Sequence, residues 1–233
     1  MIRGCSLITS LAVFCEREMT IYERIFENLV QLFTGPQYTQ EVLDAKREFF
    51  ERAGIVDEES VNFETRMSQF LDWYMFSREL SDVHLPPVNF YLEKNREKLS
   101  PEEIQLYENL TKTNHSLFEF IKLRDNDVTI RDLFTKKKSV LENSSITAGF
   151  NSEEVFEARI IPFEKTWIFT KGFCFHPLEA SKFILKEIKQ VRHLDRSHKE
   201  ALMLKLLKMR YKFEQYKHIR LDFIYSNDSK LRI

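Results

Sequence analysis

Two stretches decide how this chain folds: SLFEFIKLRDNDVTIRDLF, residues 116–134, and VFEARIIPFEKTWIFTKGFCF, residues 155–175. In both, apolar side chains tend to fall at every second position, the repeat of a strand with one buried face. Before residue 116 and after residue 178 the apolar spacing is three to four, that of amphipathic helices. A strand-rich block of about sixty residues therefore interrupts a helical chain.

Within that block the expected strands are Ser116–Leu123, Val128–Phe134, Ser139–Glu142, Val155–Phe163 and Trp167–Phe175. Asp125-Asn126-Asp127 and Glu164-Lys165 supply turn chemistry, and Lys136-Lys137-Lys138 forms a corner. Simple alternation sets Leu117, Glu119 and Ile121 opposite Phe118, Phe120 and Lys122. Five short strands suit a small antiparallel barrel of the SH3- or OB-like kind, whose closure protects the edges.

Helices are expected at Thr20–Phe33, ended by Gly35-Pro36, and at Thr39–Ala53, carrying Val42, Leu43, Phe49 and Phe50 and closed by Gly54. A third, Asn62–Leu80, is apolar on more than one face and so belongs in the middle of the helical region. Pro86-Pro87 restarts the chain into Val88–Leu99. Ser100-Pro101-Glu102-Glu103 is a capping box that opens the next helix. Leu178–Val191 and Ser197–Ile219 complete the helices, the second with Leu202, Leu206, Met209 and Phe213 on one stripe. The tail from Arg220 is expected to add a strand or dock on the core. The fold class is α+β, in segments 1–19 (apolar), 20–114 (acidic, helical), 115–177 (small barrel) and 178–233 (basic helical pair and tail).

With 233 residues the chain can bury roughly 70% of its unfolded surface. It has 21 Phe and 5 Gly, so bulky rings fill the core while little backbone is left for phosphate-cradling glycine loops. The overall charge of −1 hides a polarity: −8 between Glu41 and Glu108, +8 between Lys182 and Arg220. Such asymmetry marks either an interaction face or two regions that attract each other in the fold.

The candidate binding residues are Lys182, Lys186, Lys189, Arg192 and Arg196 at rough helical spacing, Lys205, Lys208 and Lys212 on the following helix, and Lys136, Lys137 and Lys138 at the barrel corner. Phe118, Phe120, Trp167, Phe169, Phe173 and Phe175 are either a base-stacking platform or the barrel core, and the core reading is preferred. Cys174-x-His176 offers two metal ligands where three or four are needed, so no metal or other cofactor is expected. Glu153, Glu154 and Glu157 are expected to be solvated. Three scattered cysteines form no disulfide framework, and no Walker loop, G-x-S-x-G or HExxH occurs.

Phe70-Leu71-Asp72-Trp73, Pro87-x-x-x-Tyr91-Leu92, Leu99-Ser100-Pro101-Glu102-Glu103, Ser116-Leu117-Phe118-Glu119, Arg131-Asp132-Leu133 and Phe156–Phe163 occur in that order. The series resembles a group of bacterial proteins related to those that carry a SEC-C zinc-binding motif, over residues 62–176. The resemblance implies the architecture and a bacterial cytosolic setting. It implies no activity, and the SEC-C zinc ligands are missing here.

Cys5–Phe14 is too short an apolar run to span a bilayer. Bulky Phe14 and the charges that follow do not suit signal-peptide cleavage. A cytoplasmic setting without a transmembrane segment is expected. Export or anchoring through residues 1–18, or a true start at Met19, are the alternatives. The leading functional reading is a non-enzymatic binding or adaptor protein that recognises another protein through an aromatic or basic face. The runner-up is sequence-tolerant binding of RNA or single-stranded DNA by the barrel and basic helices. An enzyme with an unrecognised site is the third.

Overall fold

A computed structural model describes residues 21–55, 59–151 and 154–227. The apolar N-terminal segment, Glu153 and the end of the tail at 228–233 lie outside the described residues. Helix and strand are mixed in the anticipated order. The helices are α1 (residues 21–33), α2 (Thr39–Ala53), α3 (Phe63–Phe76), α4 (Pro87–Asn95) and α5 (Pro101–Thr111). After the strands come α6 (Ser181–Val191), α7 (Arg196–Gln215) and a short α8 (Leu221–Ile224).

Local chemistry explains the helix ends. Ser100 accepts from the Glu103 backbone at 3.2 Å while the Glu103 side chain accepts from Ser100 N at 2.9 Å, so both halves of the capping box form. Asp195 caps α7 through His198 N at 3.1 Å. Gly54 closes α2 at φ 91°, a backbone angle that side-chain-bearing residues avoid. On α2 the buried stripe is Ala45, Phe49 and Ala53, and Leu43 is exposed, against expectation. Its position lies off the stripe that faces α3 and α7. α3 stops at Phe76, short of Leu80, and it is buried on several faces, as its sequence implied.

The strands are β1 (Asn114–Arg124), β2 (Asp127–Asp132), β3 (Lys138–Leu141), β4 (Val155–Phe163), β5 (Thr166–Phe169) and β6 (Cys174–Phe175), all paired antiparallel. The sheet order is β3-β2-β1-β4-β5, with β6 also on β4. Two features depart from the sequence reading. A bulge at Ile121 breaks the alternation of β1, so Phe120 pairs with Ile130 but Lys122 with Thr129. The last expected strand is split into β5 and β6 around Gly172. A Cβ on Gly172 would lie 3.0 Å from Asp72 Cβ, so this backbone leaves the ladder to press on α3.

The sheet curls into a half-barrel. At its open seam Thr166 Oγ1 donates to Val140 O and accepts from Glu142 N, each at 2.9 Å. Among the described residues no backbone ladder joins β3 to β5. One face of the sheet buries Phe118, Ile130, Phe156, Ala158, Ile160 and Phe169. Phe150, from the β3–β4 loop, packs against Phe120, Phe156 and Phe169. The aromatics at 118, 120, 156, 169, 173 and 175 thus pack on one another in this core, Phe173 and Phe175 stacking at 5.7 Å, and half-buried Trp167 packs against it.

The opposite face of the sheet lies against the helices. Leu117 and Val155 join Ile184, Ile188, Leu202 and Leu206 of α6 and α7. Ile161, Ile168 and Cys174 join the core of α1–α5, to which α7 adds Leu204 and Leu207. The tail docks through buried Ile224 and Tyr225 as a short helix rather than a strand.

Candidate functional site

The eleven cations singled out from the sequence divide into two groups. On α6 the apolar residues Ile184 and Ile188 turn inward, which leaves Lys182, Lys186 and Lys189 exposed at helical spacing. Arg192 and Arg196 are exposed where α6 turns into α7. Lys136, Lys137 and Lys138 are exposed at the β2–β3 corner, where Lys136 sits at φ 65°. That corner is anchored by Leu133 and Phe134, buried in the same cluster as Ile184 and Ile188, with Lys199 of α7 5.8 Å from the Phe134 ring. The elements that carry these two sets of cations, far apart in sequence, are rooted in one hydrophobic cluster.

Lys205, Lys208 and Lys212 of α7 are half-buried. Lys205 donates to Glu187 at 2.9 Å and to Asn227 at 2.6 Å. Burial works against the Glu187 carboxylate, but the bonds from Lys205 and Asn227 outweigh it and hold its pKa below the usual range. Lys208 donates to Glu51 O at 2.9 Å, at the carbonyl end of α2, and Lys212 is half-buried. The attraction imagined between acidic and basic regions is not a simple zipper. Arg52 of α2 pairs with Glu200 of α7 at 3.9 Å, the reverse polarity.

Sequence reasoning missed a buried polar seam between α3 and the sheet. Arg159 of β4 donates to Asp72 Oδ2 at 2.7 Å, Ser77 Oγ at 2.8 Å and Thr113 Oγ1 at 3.1 Å, and lies over the Phe76 ring. Gln69 donates to Phe173 O and accepts from Tyr211 OH. Arg66 donates to the carbonyls of Ala53 and Gly54 and stacks on Tyr211, and burial lowers its pKa to about 10. Glu157, expected in solvent, is buried because it pairs across the sheet with Leu117 and Cys174 on the helix-facing side. There it meets His115 Nε2 at 2.9 Å. Glu154, just ahead of β4, is half-buried and bonded by Asn151 Nδ2 at 3.0 Å.

Cys174 and His176 are both buried. Burial pushes the Cys174 thiol well above its ordinary range, so it is no nucleophilic thiolate. His176 Nδ1 lies 3.1 Å from Tyr225 OH, and burial, reinforced by Arg210, lowers its pKa to about 3. Among the described residues no three His, Cys, Asp or Glu side chains are grouped to hold a metal ion.

A cavity of about 300 Å³ opens between α1, α3 and the β5–β6 connection. Tyr22, Phe26, Leu71, Phe76, Ile161 and Ile168 form walls, and Asp72 and Gly172 also line it. Among the described residues no helix is long and apolar enough to cross a membrane.

The pattern of a family of unknown function, DUF7986, matches residues 16–222. No curated protein and no solved structure matches the chain. The match takes in α1 through α7 and the whole sheet, so the chain belongs to this family of unknown function, DUF7986.

Proposed function

We propose that the chain is a non-catalytic binding protein that receives an acidic partner protein on the surface formed by α6, the α6–α7 turn and the β2–β3 corner. The observation that carries this reading is the division of the cations: Lys205 and Lys208 of α7 bond into the fold, while Lys182, Lys186, Lys189 and Lys136–Lys138 remain exposed. Apolar groups stand among them. Leu178, Leu185 and Leu194 are 46%, 37% and 44% exposed. Mixed cationic and apolar contacts suit a protein surface with hydrophobic anchors, whereas a phosphate backbone asks for cations alone. Of the rings that would stack bases, Phe118, Phe120, Phe169, Phe173 and Phe175 pack on other rings in the sheet core, and Trp167 packs against it. The reading takes the curled sheet as an SH3- or OB-like barrel fastened at Thr166, and the setting as a reducing bacterial cytoplasm in which Cys174 stays a free thiol.

Fluorescence anisotropy with the full chain tests this. The probes are a labelled peptide of alternating Glu and Leu and a single-stranded oligonucleotide of equal charge, each at two salt concentrations. The peptide is expected to bind more tightly, and Lys182→Glu, Lys186→Glu and Lys189→Glu combined to weaken it by roughly tenfold or more. Preferential, steeply salt-dependent binding of the oligonucleotide would establish the nucleic-acid reading instead. Absence of binding to either probe would also overturn the proposal.

A further inference from the structure

The cavity beside α3 has one polar focus. Asp72 is 4% exposed and lines it, with Oδ2 held by Arg159. Its Oδ1 is buried without a hydrogen-bond partner among the described residues. A buried carboxylate oxygen accepts hydrogen bonds and is costly to leave bare. The surrounding walls are apolar and rich in rings, including Tyr22, Phe26, Phe76 and Phe169. Glu23, Glu27 and Lys171 also line the cavity, and Lys171 pairs with Glu23 at 3.0 Å.

We propose that this cavity binds a small molecule with an apolar, ring-sized body and one protonated amine, the ammonium paired with the Asp72 carboxylate. Three observations select that chemistry. The volume lies at the small end of ligand pockets, enough for a single ring with a short side chain. The charge balance is acidic, since Glu23, Glu27 and Asp72 face one cation, Lys171, in the lining. Behind Asp72, Arg159 is out of reach of an anion, because it is 1% exposed, does not line the cavity and is bonded to Asp72, Thr113 and Ser77. A carboxylate ligand would meet Glu23, Glu27 and Asp72, and the lining's one cation, Lys171, is already paired with Glu23. An ammonium finds an acceptor at the floor and ring faces along the walls.

The site lies against α1, α3 and β5, and it owes nothing to the basic surface on α6. Gly172 shapes it by letting the chain after β5 close down on α3. Ser68, one turn before Asp72 on α3, also lines the cavity, so a larger side chain there would fill it without altering the Asp72–Arg159 pair.

Isothermal titration of the full chain with three matched probes tests the proposal: 2-phenylethylamine, 2-phenylethanol and 3-phenylpropanoate. The amine is expected to bind saturably at one site, at least about tenfold more tightly than the alcohol, and the carboxylate not to bind. Ser68→Leu should abolish amine binding while the melting temperature stays unchanged or rises. Asp72→Asn, where it folds, should reduce the amine to the level of the alcohol. Equal binding of alcohol or carboxylate, amine binding that survives Ser68→Leu, or no amine binding up to its solubility limit would each overturn it.

Discussion

Arg159 of β4 and Asp72 of α3, 87 positions apart, meet at 2.7 Å with side chains only 1% and 5% exposed. The pair fastens the sheet to the helical body at a point where both partners are cut off from water. Its worth lies less in attraction than in the cost of separating it, because either charge left alone would be stranded in a low-dielectric interior.

Asp72→Leu or Arg159→Met alone is therefore expected to destabilise the protein by about 3–5 kcal/mol. Asp72→Leu combined with Arg159→Met should recover a large part of that loss. Urea denaturation of the four proteins forms a double-mutant cycle. Additive losses would show that the two residues act independently.

Gly172→Ala tests the contact that splits the last strand. The new Cβ would come within 3.0 Å of Asp72 Cβ and 3.2 Å of its Cγ, neither of them the far end of a flexible side chain. Overpacking of this kind costs about 1–3 kcal/mol. A shift in the urea midpoint reports it, and no shift would show that the segment from Thr170 to Phe173 has room to move.

His176 makes stability depend on acid. In the unfolded chain it takes a proton near its ordinary value of 6.5, whereas in the folded protein burial lowers that to about 3. Between these values the unfolded state binds the extra proton, so the stabilisation is present above pH 6.5 and drains away as pH falls toward 3. His176→Gln should flatten the stability profile below pH 6.5, removing a slope of up to about 1.4 kcal/mol per pH unit. Identical slopes for the two proteins between pH 6 and 4, values bounded by that shift, would contradict this.

At the surface, Ser100→Ala should cost about 1 kcal/mol, since it removes the acceptor for Glu103 N while Glu103 keeps its bond to Ser100 N. The denaturation slope should stay unchanged, marking a local loss at the start of α5.

What could be read in advance was whatever depends on neighbours in sequence. The capping box at Ser100 and Glu103, the turns at Asp125-Asn126 and Glu164-Lys165, and the helical spacing of Lys182, Lys186 and Lys189 are all local patterns, although the direction in which those lysines face was not. Long-range pairing was not legible. Glu157 looks like one more acid in a polar run, and only its position opposite Cys174 and Leu117 sends it inward to His115. Asp72 and Arg66 sit on a helix apolar on more than one face, a pattern that calls for partners without naming them. The glycine at 172 was the one local clue to the broken strand, and its meaning depended on α3 being beneath it.

The engagement of Arg159 by groups from α3, its C-terminal turn and the start of the sheet has an evolutionary consequence. A sheet that carries such a guanidinium into a neighbouring element's interior is not a cassette that genetic shuffling can lift into another protein. Helices and strands are expected to be inherited together, with changes at positions 72 and 159 tracking each other among members of the family.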